Sequence, residues 1–93
     1  MKFKILGIDH IAIAAKEIND LNSMLSKKLG LDFLFEEEIH EQDVKTACYD
    51  AVNCNIELIK PSTDSSPISK FLCKQDSGIH HIAFLVNDIH AAI

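Results

Sequence analysis

The chain has 93 residues, 47% of them hydrophobic, and a formal net charge of −5. That length supports at most one globular domain, near the size where a single core barely suffices. The acidic balance, with the run Glu36-Glu37-Glu38, argues against a nucleic-acid partner, which requires a basic footprint. The three cysteines, Cys48, Cys54 and Cys73, have no Cys-x-x-Cys spacing and fit a reducing cytosol better than a disulfide framework, so a cytoplasmic location is expected.

In chain order, Met1 to Lys4 followed by the apolar stretch to Ala15 superficially resembles a secretory leader, but Asp9 and His10 interrupt it and it reads instead as a strand over about Ile5–Ala14. No run of about 18 apolar residues exists, so no membrane-spanning helix is expected. Ile18, Leu21, Leu25 and Leu29 stand at helical spacing, with Gly30 placed as the C-terminal cap of a helix over about 18–29. Phe33, Phe35 and Ile39 alternate along a second strand, Asp32 to about His40, predicted to face the same core. A loop at Glu41-Gln42-Asp43 leads to a third strand, Val44–Tyr49. Ala51-Val52-Asn53-Cys54 is turn-like, with Asn53 the expected left-handed residue, and the fourth strand runs from Asn55 to Lys60, where Pro61 closes it. Residues 61–67 are polar and turn-rich. Ser66-Pro67 supplies an N-cap and a first-turn proline for a short helix bearing Ile68, Phe71 and Leu72.

The segment Gly78-Ile79-His80-His81-Ile82-Ala83 repeats Gly7-Ile8-Asp9-His10-Ile11-Ala12 at an offset of 71 residues, which pairs His81 with His10 and His80 with Asp9. Each copy is an alternating strand followed by a helix start, at Lys16-Glu17-Ile18 and at Asn87-Asp88-Ile89. The chain therefore holds a first βαβββ module (1–61), a linker with a connecting helix (62–77) and the strand and helix that begin a second module (78–93). It reads as cut short at Ile93, inside a helix whose apolar positions Ile89 and Ile93 call for a partner.

Strand alternation puts His10, Ala12 and Ala14 on one face and Ile11 and Ile13 on the other. Glu57 alternates with Ile56 and Leu58, so if those two pack beneath the helix, Glu57 shares the face of His10 and His81. Two imidazoles and a carboxylate on one sheet face suit Mn²⁺, Fe²⁺, Co²⁺, Ni²⁺ or Zn²⁺. A lone strand histidine is more often a hydrogen-bonded structural residue, and it is the repeat that shifts the reading toward a ligand set. Alternation sends His80 to the opposite face, and His40 and His90 read as surface residues.

The segments Asp9-His10-Ile11-Ala12-Ile13-Ala14, Leu29-Gly30-Leu31, Glu57-Leu58-Ile59-Lys60-Pro61, Ser66-Pro67-Ile68-Ser69-Lys70-Phe71-Leu72 and Gly78-Ile79-His80-His81-Ile82-Ala83-Phe84 resemble methylmalonyl-CoA epimerases of the vicinal oxygen chelate superfamily, the group that includes glyoxalase I and the extradiol dioxygenases. The resemblance covers the whole chain. It implies an α+β fold of paired βαβββ modules forming a curved mixed sheet around a divalent metal, with Co²⁺ first and Mn²⁺, Ni²⁺, Zn²⁺ or Mg²⁺ as alternatives, in a homodimer acting on an acyl-CoA thioester. The family's metal ligands fall on His10, Glu57 and His81, and a fourth, a glutamate that also serves as a base, falls beyond Ile93.

The implied reaction removes the α-proton of methylmalonyl-CoA and returns it on the other face, through an enolate stabilised by the metal. Thr46 stands where some bacterial members carry a second, glutamate base, and a threonine cannot act as one. Met24 or Leu25 stands near the place of the family's tyrosine. Lys27, Lys28 or residues beyond Ile93 are the candidate contacts for the CoA tail. The 93 residues alone are expected to be inactive. A glyoxalase I-like lyase with the same metal geometry, or a non-catalytic binding or assembly module, are the alternative functions.

Overall fold

A computed structural model describes residues 3–88 and 90. The elements run β1 (Ile5–Ala15), α1 (Asn19–Ser23), β2 (Asp32–Ile39), β3 (Val44–Asp50), β4 (Asn55–Pro61), α2 (Pro67–Phe71) and β5 (Ser77–Val86). They build one mixed sheet in the order β2-β3-β4-β1-β5. β1 and β4 are parallel, which the crossover through α1 and the β2-β3-β4 meander makes possible, and every other pairing is antiparallel.

Two small cores flank the sheet. On one face α1 and the turn after it set Ile18 and Leu25 against Ala47, Tyr49 and Leu58, with Ile13 and Ile56 beside them. On the other face α2 sets Ile68 and Leu72 against Ala12, Ala14, Val44 and Ile59. The period-2 pattern of β1 and β4 is thereby satisfied on both sides, and Leu58 and Ala12 are fully buried on opposite faces. α2 begins as expected: Ser66 Oγ accepts the Ile68 N–H at 3.2 Å and Pro67 occupies the first turn. Among the described residues no buried side-chain nitrogen or oxygen lacks a partner, and no helix is long and apolar enough to cross a membrane.

Several expectations are corrected. The helix predicted over 18–29 is α-helical only at Asn19–Ser23 and continues as a π-helical stretch, Met24–Lys28, with Leu29 N–H donating to the Met24 carbonyl. At the changeover the Ser26 hydroxyl donates to the Asn22 carbonyl at 2.8 Å, taking the acceptor an α-helical turn would use. The wider turn rotates Leu29 off the buried stripe, leaving it 62% exposed. Gly30 does close the segment with a left-handed φ of 72°.

Phe33 and Phe35 are half exposed rather than core. β2 is an edge strand, a register shift at Leu34 breaks its alternation, and the short helix covers β1, β3 and β4 instead. In the β3–β4 turn the left-handed residue is Val52 (φ 75°), not Asn53. The Asp50 carboxylate sets this turn by accepting the Val52 N–H at 2.8 Å, an Asx turn. The helix expected after Val86, with Ile89 and Ile93, falls mostly on residues outside the described set.

Candidate metal centre

β4 runs parallel to β1 with Glu57 opposite Ala12, and β5 runs antiparallel on the other side with His81 opposite the same Ala12. His10 lies one step along β1 on the same face. A buried alanine thus forms the floor, and three longer side chains stand around it. One donor atom from each of His10, Glu57 and His81 lies within 4.8 Å of the other two. His10 Nε2 and His81 Nε2 are 3.2 Å apart, their rings edge to face.

Two donors held by one ion at about 2.1 Å stand at most about 4.2 Å apart, so the imidazole pair already fits and the carboxylate needs only a small rotation of its flexible stem. The set itself is mixed nitrogen and oxygen, suited to borderline divalent cations. Lone pairs converging at this distance repel one another unless a proton or a cation sits between them.

The His10 ring is oriented by its neighbour, since Asp9 Oδ2 lies 2.8 Å from His10 Nδ1. A carboxylate there holds the proton on Nδ1 and leaves Nε2 as a lone pair aimed into the site. At His81, burial holds the imidazole below its ordinary range, the nearby imidazoles of His80 and His10 add to the effect, and Glu57 opposes it. His81 therefore stays neutral, and able to bind a cation, further into the acid range.

One expectation fails here in an informative way. Alternation sends His80 to the face away from the site, yet its Nδ1 lies 2.9 Å from His81 Nδ1 and its ring packs on Phe71 of α2, the helix on the site face. The cause is a bulge: His81 pairs with Ala12 and Ile79 with Ile13, so His80 is an extra residue in β5. β1 carries the counterpart, since Ile8 pairs with Phe84 and His10 with Ala83, leaving Asp9 as the extra residue. The repeat pairs Asp9 with His80, so the two extra residues stand at equivalent positions, though nothing in the sequence marks either as a bulge.

Cys48 sits opposite Glu57 on the same face. Burial, then the charges of Glu57, Asp9 and Asp50, push its thiol pKa up, so it is protonated at neutral pH. Thr46 is buried, and its hydroxyl donates to the Glu37 carbonyl at 3.4 Å, a structural tie to the edge strand. Lys27 and Lys28 are exposed on the segment that follows α1, across the sheet from the histidines, and so lie away from the centre. His40 and His90 are exposed, as expected.

Over residues 9–93 the chain matches the family model of the Glyoxalase/Bleomycin resistance protein/Dioxygenase superfamily. It is 46% identical over 80 residues to an uncharacterised Bacillus subtilis protein, YqjC, covering 86% of this chain and 57% of that one. It is 37% identical over 93 residues to the mitochondrial methylmalonyl-CoA epimerase of Dictyostelium discoideum, covering 99% of this chain and 56% of that one. A Streptomyces coelicolor methylmalonyl-CoA epimerase, solved in complex with 2-nitronate-propionyl-CoA, superimposes with a TM-score of 0.83 at 28% identity, covering 96% of this chain and 68% of that one. The chain spans about half the length of the curated relatives it matches.

Proposed function

From the premise that this chain belongs to the Glyoxalase/Bleomycin resistance protein/Dioxygenase superfamily, we propose that it serves a metal-dependent epimerase of methylmalonyl-CoA. The observation that carries the reading is the convergence of His10, Glu57 and His81 above Ala12 on one sheet face. The epimerases among its relatives supply the substrate class.

In this reading His10 and His81 hold a divalent ion through their Nε2 atoms and Glu57 holds it through its carboxylate. When bound, such an ion supplies Lewis-acid stabilisation of negative charge developing on the substrate's thioester oxygen. The protein's own residues prepare the site. Asp9 fixes the His10 tautomer, the Ala12 floor keeps the strand backbone close, and the α2 core backs the same face so that the ligand strands do not spread. Thr46, with its hydroxyl turned to a backbone carbonyl, is given no part as a base in this reading. The reading extends to a homodimer in a reducing compartment, with CoA as the recognised handle.

The test is proton NMR in D₂O with the purified protein, Co²⁺ and methylmalonyl-CoA. Metal-dependent loss of the α-proton signal, abolished in His81→Ala, is expected. Absence of exchange together with turnover of methylglyoxal and glutathione would move the function to a glyoxalase-like lyase. Metal binding with neither activity would leave a binding role.

A further inference from the structure

Each candidate ligand histidine is immediately preceded by a residue that the strand ladder leaves over. β1 leaves over Leu6 near its start and Asp9, and β5 leaves over His80; Asp9 and His80 are each a bulge next to the histidine that faces the site. A bulge turns two consecutive side chains toward the same side, which strict alternation forbids. Both extra residues use that freedom in the same way: Asp9 Oδ2 meets His10 Nδ1 at 2.8 Å, and His80 Nδ1 meets His81 Nδ1 at 2.9 Å. The two partners stand at equivalent points of the repeat, separated by the same offset as the two ligands.

We infer that His80 is the positioning residue of His81, accepting its Nδ1 proton and thereby presenting the Nε2 lone pair to the ion, as Asp9 does for His10. The inference rests on the metal reading above. The chemistry requires one proton between the two Nδ1 atoms. If His81 supplies it, Nε2 is free to bind; if His80 supplies it, His81 carries its proton on Nε2 and cannot. An ion at the site selects the first arrangement, and His80 is held ready to accept because its ring is braced edge to face on Phe71, with centroids 5.1 Å apart. β5 thus connects the connecting helix to the ligand, from Phe71 through His80 to His81. The two halves differ in one respect: His10 has an anionic partner and His81 a neutral one.

The experiment compares the wild-type protein with His80→Phe, which keeps a ring against Phe71 but has no acceptor, and His80→Asn, whose Oδ1 restores an acceptor near the Nδ1 position. Zn²⁺ affinity is measured by calorimetry and the melting temperature is followed in parallel. His80→Phe is expected to bind Zn²⁺ about 10- to 100-fold more weakly, the usual cost of losing such a partner, with the melting temperature of the metal-free protein unchanged. His80→Asn is expected to recover most of that loss. In the Zn²⁺-loaded wild type a ¹⁵N–¹⁵N coupling across the His81–His80 hydrogen bond is expected, with the proton on His81 Nδ1. Wild-type affinity in His80→Phe, or no recovery in His80→Asn, would overturn the inference and leave the metal site standing. A wild-type protein that binds no Zn²⁺ would overturn the metal reading itself.

Discussion

Removing the Asp9 carboxylate tests whether the His10 tautomer is set by its neighbour. In Asp9→Ala the 2.8 Å contact to His10 Nδ1 is lost while both histidines and Glu57 remain. A hydrogen bond to an ionised group contributes about 1.5–3 kcal/mol. Here the carboxylate side chain is 55% exposed and the imidazole 24%, so water screens the pair and the lower end applies. At about 1.4 kcal/mol per factor of ten, the loss corresponds to roughly tenfold weaker ion binding. Asp9→Asn keeps an acceptor without the charge and is expected to lose only a few-fold. Co²⁺ titration calorimetry near pH 7.5 on wild type and both variants reads this directly, with thermal melts to show that the bulge survives. Asp9→Ala binding Co²⁺ within twofold of wild type would refute the assignment of Asp9 as an orienting group.

Other expectations are independent of the ion. Leu58, fully buried beneath α1, should cost about 2–5 kcal/mol on truncation to alanine in equilibrium urea unfolding, and a loss below about 1 kcal/mol would contradict its place in that core. Val52→Asn should raise stability by about 1 kcal/mol in the same assay, because a β-branched side chain at φ 75° is strained and asparagine tolerates that region; a loss would show that the turn does not hold this conformation. Ser66→Ala should cost about 1 kcal/mol through the lost cap of α2, again read by urea unfolding. His81 is held below its ordinary range chiefly by burial, so the unfolded chain takes up a proton that the folded chain refuses. Its contribution to stability is full above about pH 6.5 and falls as pH drops from there toward the folded value. The metal-free protein should therefore lose stability on acidification across that window, with a shallower slope in His81→Gln, and identical slopes would contradict the assignment.

Much of the architecture was legible because period-2 alternation is strict wherever a strand is buried on both faces. β1 and β4 lie between α1 and α2, so His10, Ala12, Ala14 and Glu57 could be assigned to one face and Ile13 and Leu58 to the other from spacing alone. The candidate ligand set His10, Glu57 and His81, which the structure brings together, followed from that alternation and from the repeat. What alternation could not show is where it is broken. The extra residues Asp9 and His80 have no distinctive composition, and a bulge is visible only when two strands are paired. The π-helical stretch stayed hidden for a related reason: Leu29 keeps helical spacing in sequence, but the wider turn points it elsewhere. At Val52 the order of preference among residue types was overridden by Asp50, whose side chain dictates where the turn reverses. Phe33 and Phe35 look like core residues because hydrophobicity records what a strand would bury, not whether anything lies over it.

The paired bulges also bear on how this chain tolerates mutational drift. A substitution at position 9 or 80 alters the character of one hydrogen bond, and the two copies already hold different side chains there, a carboxylate and an imidazole. A one-residue deletion at either point is another matter, because the ladder closes into regular pairing with the histidine still on its face but with no neighbour left at its Nδ1. The spacing between each histidine and its predecessor should therefore be inherited as rigidly as the histidine, while the predecessor's identity is free to wander among acceptors. Deletions at these two points, and exchanges that remove the acceptor, are the changes expected to weaken this candidate site.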